Sequence, residues 1–311
     1  MTNLTTLLTY ATELGCHVTE QASMAAATSF RIGGAADLLI DMPHAEAAAA
    51  VLTHCRREGI PTMLIGNGSN MVVSDRGIRG AVLRMDGRGH TPTVTPDGRI
   101  HCHAGISLQR LCIAARDHAL TGLEFAFGIP GSVGGAVYMN AGAYGGEMAD
   151  VLVSAECLIP QGDAVVSATL TKEEMQLGYR HSVLMDQPAD APILITAVTL
   201  QLQAGDATAI AARMKELIGK RQEKQPLEYP SGGSFFKRPA GHFAGALVEQ
   251  AGLKGYTVGG ARVSEKHAGF VINIGGATAA DVLALCRHVQ DVVREQSGVE
   301  LQPEVRFVGE F

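Results

Sequence analysis

No C-x-x-C pair occurs among the six cysteines, Cys16, Cys55, Cys102, Cys112, Cys157 and Cys286. Their wide spacing argues against a disulfide framework and against zinc held by cysteine alone, and fits reduced thiols in a cytosolic protein. Charge is sparse: 18% of residues are charged, the net charge is −6 and the 25 Lys and Arg are scattered. No basic stripe is left to neutralise a run of phosphates, so nucleic acid is not an expected partner. No apolar run approaches the ~20 residues that span a bilayer. The opening Met1-Thr2-Asn3-Leu4-Thr5-Thr6-Leu7-Leu8 has neither the basic start nor the long apolar core of a leader, and the expected location is the cytoplasm. Neither an internal repeat nor a low-complexity tract is present.

What is there is a globular composition, 46% hydrophobic with 37 glycines over 311 residues, long enough for two or three domains and a buried cofactor. Leu4, Leu7, Leu8 and Leu14 predict a short helix, and Ala45 to Arg57 a second, closed by Gly59 with Pro61 beyond. Leu38-Leu39-Ile40, Met63-Leu64-Ile65, Met71-Val72-Val73 and Ala81-Val82-Leu83 read as short strands. From about Thr91 to Gln203 strands dominate, with one helix from Leu108 to His118 and a glycine-rich passage from Gly128 to Gly146. Helical spacing returns at Ile210, Met214, Leu217 and Ile218, and Pro226 ends it, which places a boundary near Gly205. The last third holds a helix from Phe243 to Gln250, a strand from Gly269 to Ile274, and a helix aligning Val282, Cys286, Val289 and Val293 between a Thr278 cap and Gly298. A final strand is expected with Val299, Leu301, Val305 and Phe307 on one face and Gln302, Glu304 and Arg306 on the other.

Two glycine passages invite a phosphate-bearing ligand. In Gly66-Asn67-Gly68-Ser69-Asn70 small residues after a buried strand let successive backbone N–H groups converge on an anion. A tight turn has the same composition. The third glycine of a dinucleotide fingerprint is replaced by Met71, and a strand rather than a helix follows, so that fold is disfavoured. No Walker A pattern exists. The second passage, Gly128 to Gly145, contains Gly131, Ser132, Gly134, Gly135, Asn140 and Gly142 and removes side chains where something flat or anionic can approach backbone.

Ser234, in Ser231-Gly232-Gly233-Ser234-Phe235-Phe236-Lys237-Arg238-Pro239, puts a hydroxyl between flexible glycines and a hydrophobic strand. A serine donates its proton usefully only to a strongly basic partner such as an enolate. No G-x-S-x-G elbow surrounds it, which weakens a hydrolase reading. Arg180 and Glu304 each look like ordinary surface charges by pattern, and Lys220, Arg221 and Lys224 like a wet helix face. His101 and His103 share a strand face without a third ligand, so metal is not expected. His267 reads as a hydrogen-bonded structural residue.

The order of these fragments is informative. Thr28-Ser29-Phe30-Arg31-Ile32-Gly33-Gly34, Gly66-Asn67-Gly68-Ser69-Asn70, Gly128 to Gly145 and Tyr179-Arg180-His181-Ser182 are followed by Lys224-Gln225-Pro226-Leu227-Glu228-Tyr229-Pro230-Ser231-Gly232-Gly233-Ser234. Gly259 to His267 and Leu301-Gln302-Pro303-Glu304-Val305 complete the series. Over nearly the whole chain this resembles the UDP-N-acetylenolpyruvoylglucosamine reductase (MurB) family, in its shorter type II form.

The resemblance implies an α+β fold: a two-subdomain FAD-binding fold of the vanillyl-alcohol-oxidase (PCMH) type over 1–205, with subdomains of about 1–85 and 86–205. A smaller α/β substrate-binding domain over 206–311 follows. It also implies NADPH-dependent, FAD-mediated reduction of UDP-N-acetylglucosamine enolpyruvate to UDP-N-acetylmuramate in peptidoglycan synthesis, with FAD bound non-covalently. Arg180 matches the family arginine that stabilises the enolate, Glu304 the family glutamate, and Ser234 the general acid. Gly66 to Asn70, Gly131, Ser132, Gly134, Gly135, Asn140, Gly142 and Tyr179 become cofactor contacts. Lys224 matches a lysine near the substrate diphosphate, and Arg238 stands where the longer type has asparagine. Two other readings stay open: another FAD oxidoreductase on the same fold, and a non-catalytic sugar-nucleotide-binding protein.

Overall fold

Residues 3–311 are described by the computed structural model; Met1 and Thr2, part of the N-terminal reading, lie outside them. The architecture is α+β, in two compact units that interleave along the chain. The first takes the chain up to Glu20, Leu38–Asn67 and Gly80–Gly219; the second takes Gln21–Asp37, Gly68–Arg79 and Lys220–Phe311.

A five-stranded antiparallel sheet organises the first unit, in the order Ala164–Thr171, Leu152–Gln161, Leu194–Gln201, Arg99–His103 and Thr93–Val94. Strand alternation decides what it buries. Val198 lies opposite Cys102 and Leu200 opposite Ile100, all four inside, while Thr199 and His101 face the other way. The helix Leu108–Asp117 buries Leu108, Leu111, Cys112 and Ala115, spaced as one face requires, and Ser107 caps it by accepting the Arg110 N–H. The helix Ala45–Arg57 packs Ala48, Val51, Leu52 and Cys55 into the same core. Within the glycine-rich passage, where the sequence reading placed no helix, Val133–Tyr138 forms one. Its glycines are offset by Ser132, whose hydroxyl accepts the Gly135 N–H and caps the turn.

The second unit carries a four-stranded antiparallel sheet, Ser231–Ser234, Phe270–Asn273, Ala261–Val263 and Thr257–Val258. The helix Ala279–Ser297 buries Val282, Cys286, Val289 and Val293, starts at a Thr278–Asp281 capping box and stops at Gly298, φ +71. The expected strand from Val299 is shorter than its alternation promised. Arg306–Val308 pairs parallel to Met71–Val73, and before it the chain makes a single antiparallel bridge, Pro303 to Phe236. The Glu304 N–H to the Phe235 carbonyl is one of the two bonds of that bridge, Pro303 has no N–H with which to extend it, and Leu301 and Val305 are buried as expected.

All six cysteines are buried and unbridged. Burial pushes the Cys16 thiol up to about 11 and those of Cys55, Cys102, Cys112, Cys157 and Cys286 up to about 12. Native protein at pH 8 is therefore expected to react with a thiol reagent at fewer than about one site, against all six after denaturation. Rapid stoichiometric labelling of the native chain would contradict this packing.

His103 gives a second testable consequence. Its Nδ1 accepts the Gly105 N–H at 3.2 Å and its ring stacks on His90 with centroids 3.9 Å apart. Burial first, then the neighbouring His90, lower its pKa from 6.5 to about 4; Asp86 opposes this, while His101 and His44 add to it. Between pH 6.5 and 4 the unfolded chain binds a proton that the folded chain refuses, so stability falls as pH drops through that window. The loss is on the order of 2 kcal/mol once partial exposure of the ring is allowed for. His103→Gln should flatten the dependence of Tm on pH there; an unchanged slope would assign the effect to other groups.

Candidate functional site

In the first unit the two glycine passages meet. Gly66 follows the strand Thr62–Ile65, and a Cβ there would lie 2.5 Å from Ser132 Oγ and 3.5 Å from the Gly135 Cα. Only glycine fits that approach. The second passage commits its N–H groups to protein: Val133 donates to the Ile106 carbonyl and Gly134 to that of Ala104, both at 2.8 Å, and Gly135 donates to Ser132 Oγ at 3.3 Å. What it presents is a face without side chains. The first loop differs, since among the described residues the N–H groups of Asn67, Gly68 and Ser69 donate to no protein acceptor. Gly68, φ +61, is itself irreplaceable, because a Cβ would meet the Ala27 carbonyl oxygen at 2.5 Å.

Arg180 lies in a turn closed by reciprocal bonds, Gly178 N–H to His181 O at 3.0 Å and His181 N–H to Gly178 O at 3.2 Å. Its backbone is left-handed, φ +53, and its Nη2 donates to the Gly142 carbonyl at 2.9 Å. The guanidinium sits 5.1 Å from the Tyr179 ring centroid, and Tyr179 is 52% exposed. An arginine beside an exposed aromatic ring and a glycine-lined face is suited to a planar anion next to a flat cofactor. Asn140, expected as a cofactor contact, has no exposed surface.

The second unit brings Ser234 and Glu304 together. Ser231 pairs with Ile272 and Ser234 with Phe270, so three steps on one strand match two on its partner and the extra residue is a bulge. Gly233, φ +81, makes that bulge, which leaves Ser234 exposed while Phe235 and Phe236 enter the core. The next carbonyl, Phe235 O, accepts the Glu304 N–H at 2.8 Å, and Lys237 N–H reaches Gln302 O at the same distance. Asn70 then holds Glu304 from the far side, its Nδ2 donating to the Glu304 carbonyl at 3.1 Å and its own carbonyl accepting the Arg306 N–H. Ser29 steadies the serine loop through Ser231 O at 2.7 Å. Neither contact was readable, since Asn70 and Glu304 lie 234 positions apart and no pattern marks a side chain that holds a remote carbonyl.

Lys224 ends the helix Ala207–Lys224 and is exposed; Arg238 is exposed with its guanidinium 4.4 Å from the Phe243 ring centroid. Arg221, expected on a wet face, is instead 6% exposed. His101 Nε2 lies 2.9 Å from Glu156, and His267 Nδ1 accepts the Gly269 N–H at 3.0 Å. Among the described residues no trio of His, Cys, Asp or Glu is placed to hold a metal, and no helix is long and apolar enough to cross a membrane. A cavity of about 480 Å³ in the first unit, beside Tyr144, Phe125 and Asp206, is lined by none of the catalytic, cofactor or substrate candidates read from the sequence.

Two family models match the chain. An FAD binding domain model matches residues 36–167, and the model of the UDP-N-acetylenolpyruvoylglucosamine reductase C-terminal domain matches 225–308. A UDP-N-acetylenolpyruvoylglucosamine reductase of Lachnoclostridium phytofermentans is 48% identical over 286 residues, covering 91% of this chain and 90% of the relative. That of Caldanaerobacter subterraneus subsp. tengcongensis is 45% identical over 283 residues, 91% of each. The crystal structure of UDP-N-acetylenolpyruvylglucosamine reductase (MurB) from Thermus caldophilus superposes with a TM-score of 0.76 at 34% identity, over 94% of this chain and 99% of that one.

Proposed function

The chain belongs to the UDP-N-acetylenolpyruvoylglucosamine reductase family, and from that membership we propose that it reduces UDP-N-acetylglucosamine enolpyruvate to UDP-N-acetylmuramate. The reaction is a cytoplasmic step of peptidoglycan synthesis with NADPH as donor and non-covalent FAD as the relay. Residues 1–205 serve the cofactor and 206–311 the sugar nucleotide. The observation that carries the reading is the bond from the Glu304 N–H to the carbonyl of Phe235, the residue after Ser234, inside the span matched by the reductase C-terminal model.

The residues present fit FAD. The unclaimed N–H groups of Asn67, Gly68 and Ser69 suit its pyrophosphate, with Asn70 next in the loop, and the cradle at Gly66, which a Cβ would fill, lies against Gly135, with Gly131 and Gly142 assigned to the same cofactor by family membership. Ser132 and Gly134 shape that surface from beneath, and Tyr179 flanks it. Bound FAD supplies hydride transfer from the nicotinamide donor to the enolpyruvyl methylene carbon.

Charge then accumulates beside a carboxylate that is already anionic, and preorganised donors must stabilise it. Arg180 does so with a guanidinium fork matched to a planar carboxylate. Glu304, when protonated, donates a second hydrogen bond to the same group. Ser234 delivers a proton to the adjacent carbon, an acceptor basic enough to take one from a hydroxyl. Lys224 and Arg238 neutralise the diphosphate.

Anaerobic flavin absorbance tests the whole reading. NADPH should bleach the holoenzyme, and UDP-N-acetylglucosamine enolpyruvate, but not UDP-N-acetylglucosamine, should restore the colour. Bleaching without recovery would leave a flavoprotein with another acceptor.

A further inference from the structure

We propose that Asn140 and Ser182 are positioning residues for the reduction, a buried clasp that holds the Gly178–Ser182 turn in the one conformation presenting the Arg180 guanidinium. The proposal rests on the assignment of Arg180 as the carboxylate-binding group. Neither clasp residue touches substrate, since both have no exposed surface.

The geometry is specific. Asn140 Nδ2 donates to the Gly178 carbonyl at 2.9 Å while its Oδ1 accepts the Ala149 N–H at 2.9 Å, so the two partners dictate which end of the amide faces the turn. Ser182 Oγ donates to the Tyr138 carbonyl at 2.5 Å. Buried side-chain bonds therefore grip the turn two positions before and two positions after Arg180, both anchored in the 138–149 segment. Arg180 reaches the same segment through Gly142. Its left-handed backbone is one that side-chain-bearing residues rarely adopt, and such a conformation persists only where the surroundings over-determine it. Asn140 is left-handed too, φ +43. The clasp supplies that constraint on both flanks.

The test uses flavin-loaded Asn140→Asp and Ser182→Ala enzymes. Asn140→Asp keeps the acceptor for Ala149 but turns a carboxylate oxygen toward the Gly178 carbonyl, pushing the turn away. Each variant should reduce normally with NADPH and then recover colour with substrate about 10- to 100-fold more slowly, the penalty of a misplaced group. A shift of that size in kcat, with KM for NADPH unchanged, separates positioning from general loosening.

A double-mutant cycle sharpens it. In an Arg180→Ala background, adding Ser182→Ala should slow recovery by less than about twofold, because the group being positioned is gone. Full additivity overturns the proposal, as does parental recovery in both clasp variants while Arg180→Ala is slow. Parental recovery in Arg180→Ala itself overturns the assignment of Arg180. If Asn140→Asp fails to fold, Ser182→Ala decides; loss of flavin from both makes these residues supports of the cofactor cradle and overturns the positioning role.

Discussion

Ser234→Ala is expected to leave flavin content and bleaching by NADPH intact while slowing the substrate-driven recovery of colour by about 10²–10⁴-fold, the range over which a positioned proton donor contributes. The change is surgical for a structural reason. Ser234 sits outside the core at the end of a bulged edge strand, whereas the fold there depends on Phe235 and Phe236, both buried, and on the Phe235 carbonyl that receives the Glu304 N–H. Removing one oxygen disturbs none of these. Two outcomes would remove the serine from the mechanism: recovery at the parental rate, or loss of FAD. Stopped-flow absorbance of pre-reduced enzyme mixed with substrate reads both.

Arg180→Ala should slow the same half-reaction by about 10²–10³-fold, comparable to deleting one preorganised donor to a developing anion. Arg180→Lys should restore only part of it, because an ammonium keeps the charge but not the planar fork that engages a carboxylate twice. Alanine also loses the bond from Nη2 to Gly142 O, so flavin content must be checked alongside. A lysine variant as fast as the parent would show that charge alone suffices. Equal slowing of the NADPH half-reaction would place the arginine in cofactor binding instead.

Local pattern made much of this fold legible. The spacing of Val282, Cys286, Val289 and Val293 marked a buried helical face, and Thr278 and Gly298 its ends, because a helix announces itself by periodicity and by residues that satisfy its termini. Ala45 to Arg57 was readable for the same reason. The helix Val133–Tyr138 was not, since three of the residues opening it are Ser132, Gly134 and Gly135, whose propensities argue against it; contacts from Ala104 and Ile106 override them. The strand expected from Val299 failed in the opposite direction. Its alternation is present in the burial of Leu301 and Val305, yet a continuous ladder exists only from Arg306 onward, with a single bridge at Pro303 before it.

The candidate site divides along the same line. The sequence by itself singled out the candidates for the chemistry, the glycines at 66, 68 and 135, the Tyr179-Arg180 pair, Ser234 and Glu304, because residue type and order are properties of the chain. Tertiary structure alone decided how each is presented. A bulge leaves Ser234 exposed, Asn70 grips Glu304 across 234 positions, and Asn140 and Ser182 clamp the Arg180 turn. Apart from the bulge, these are side-chain hydrogen bonds to backbone carbonyls, and a carbonyl carries no signature in a sequence; which one a buried Asn or Ser reaches is settled only when the chain has folded around it.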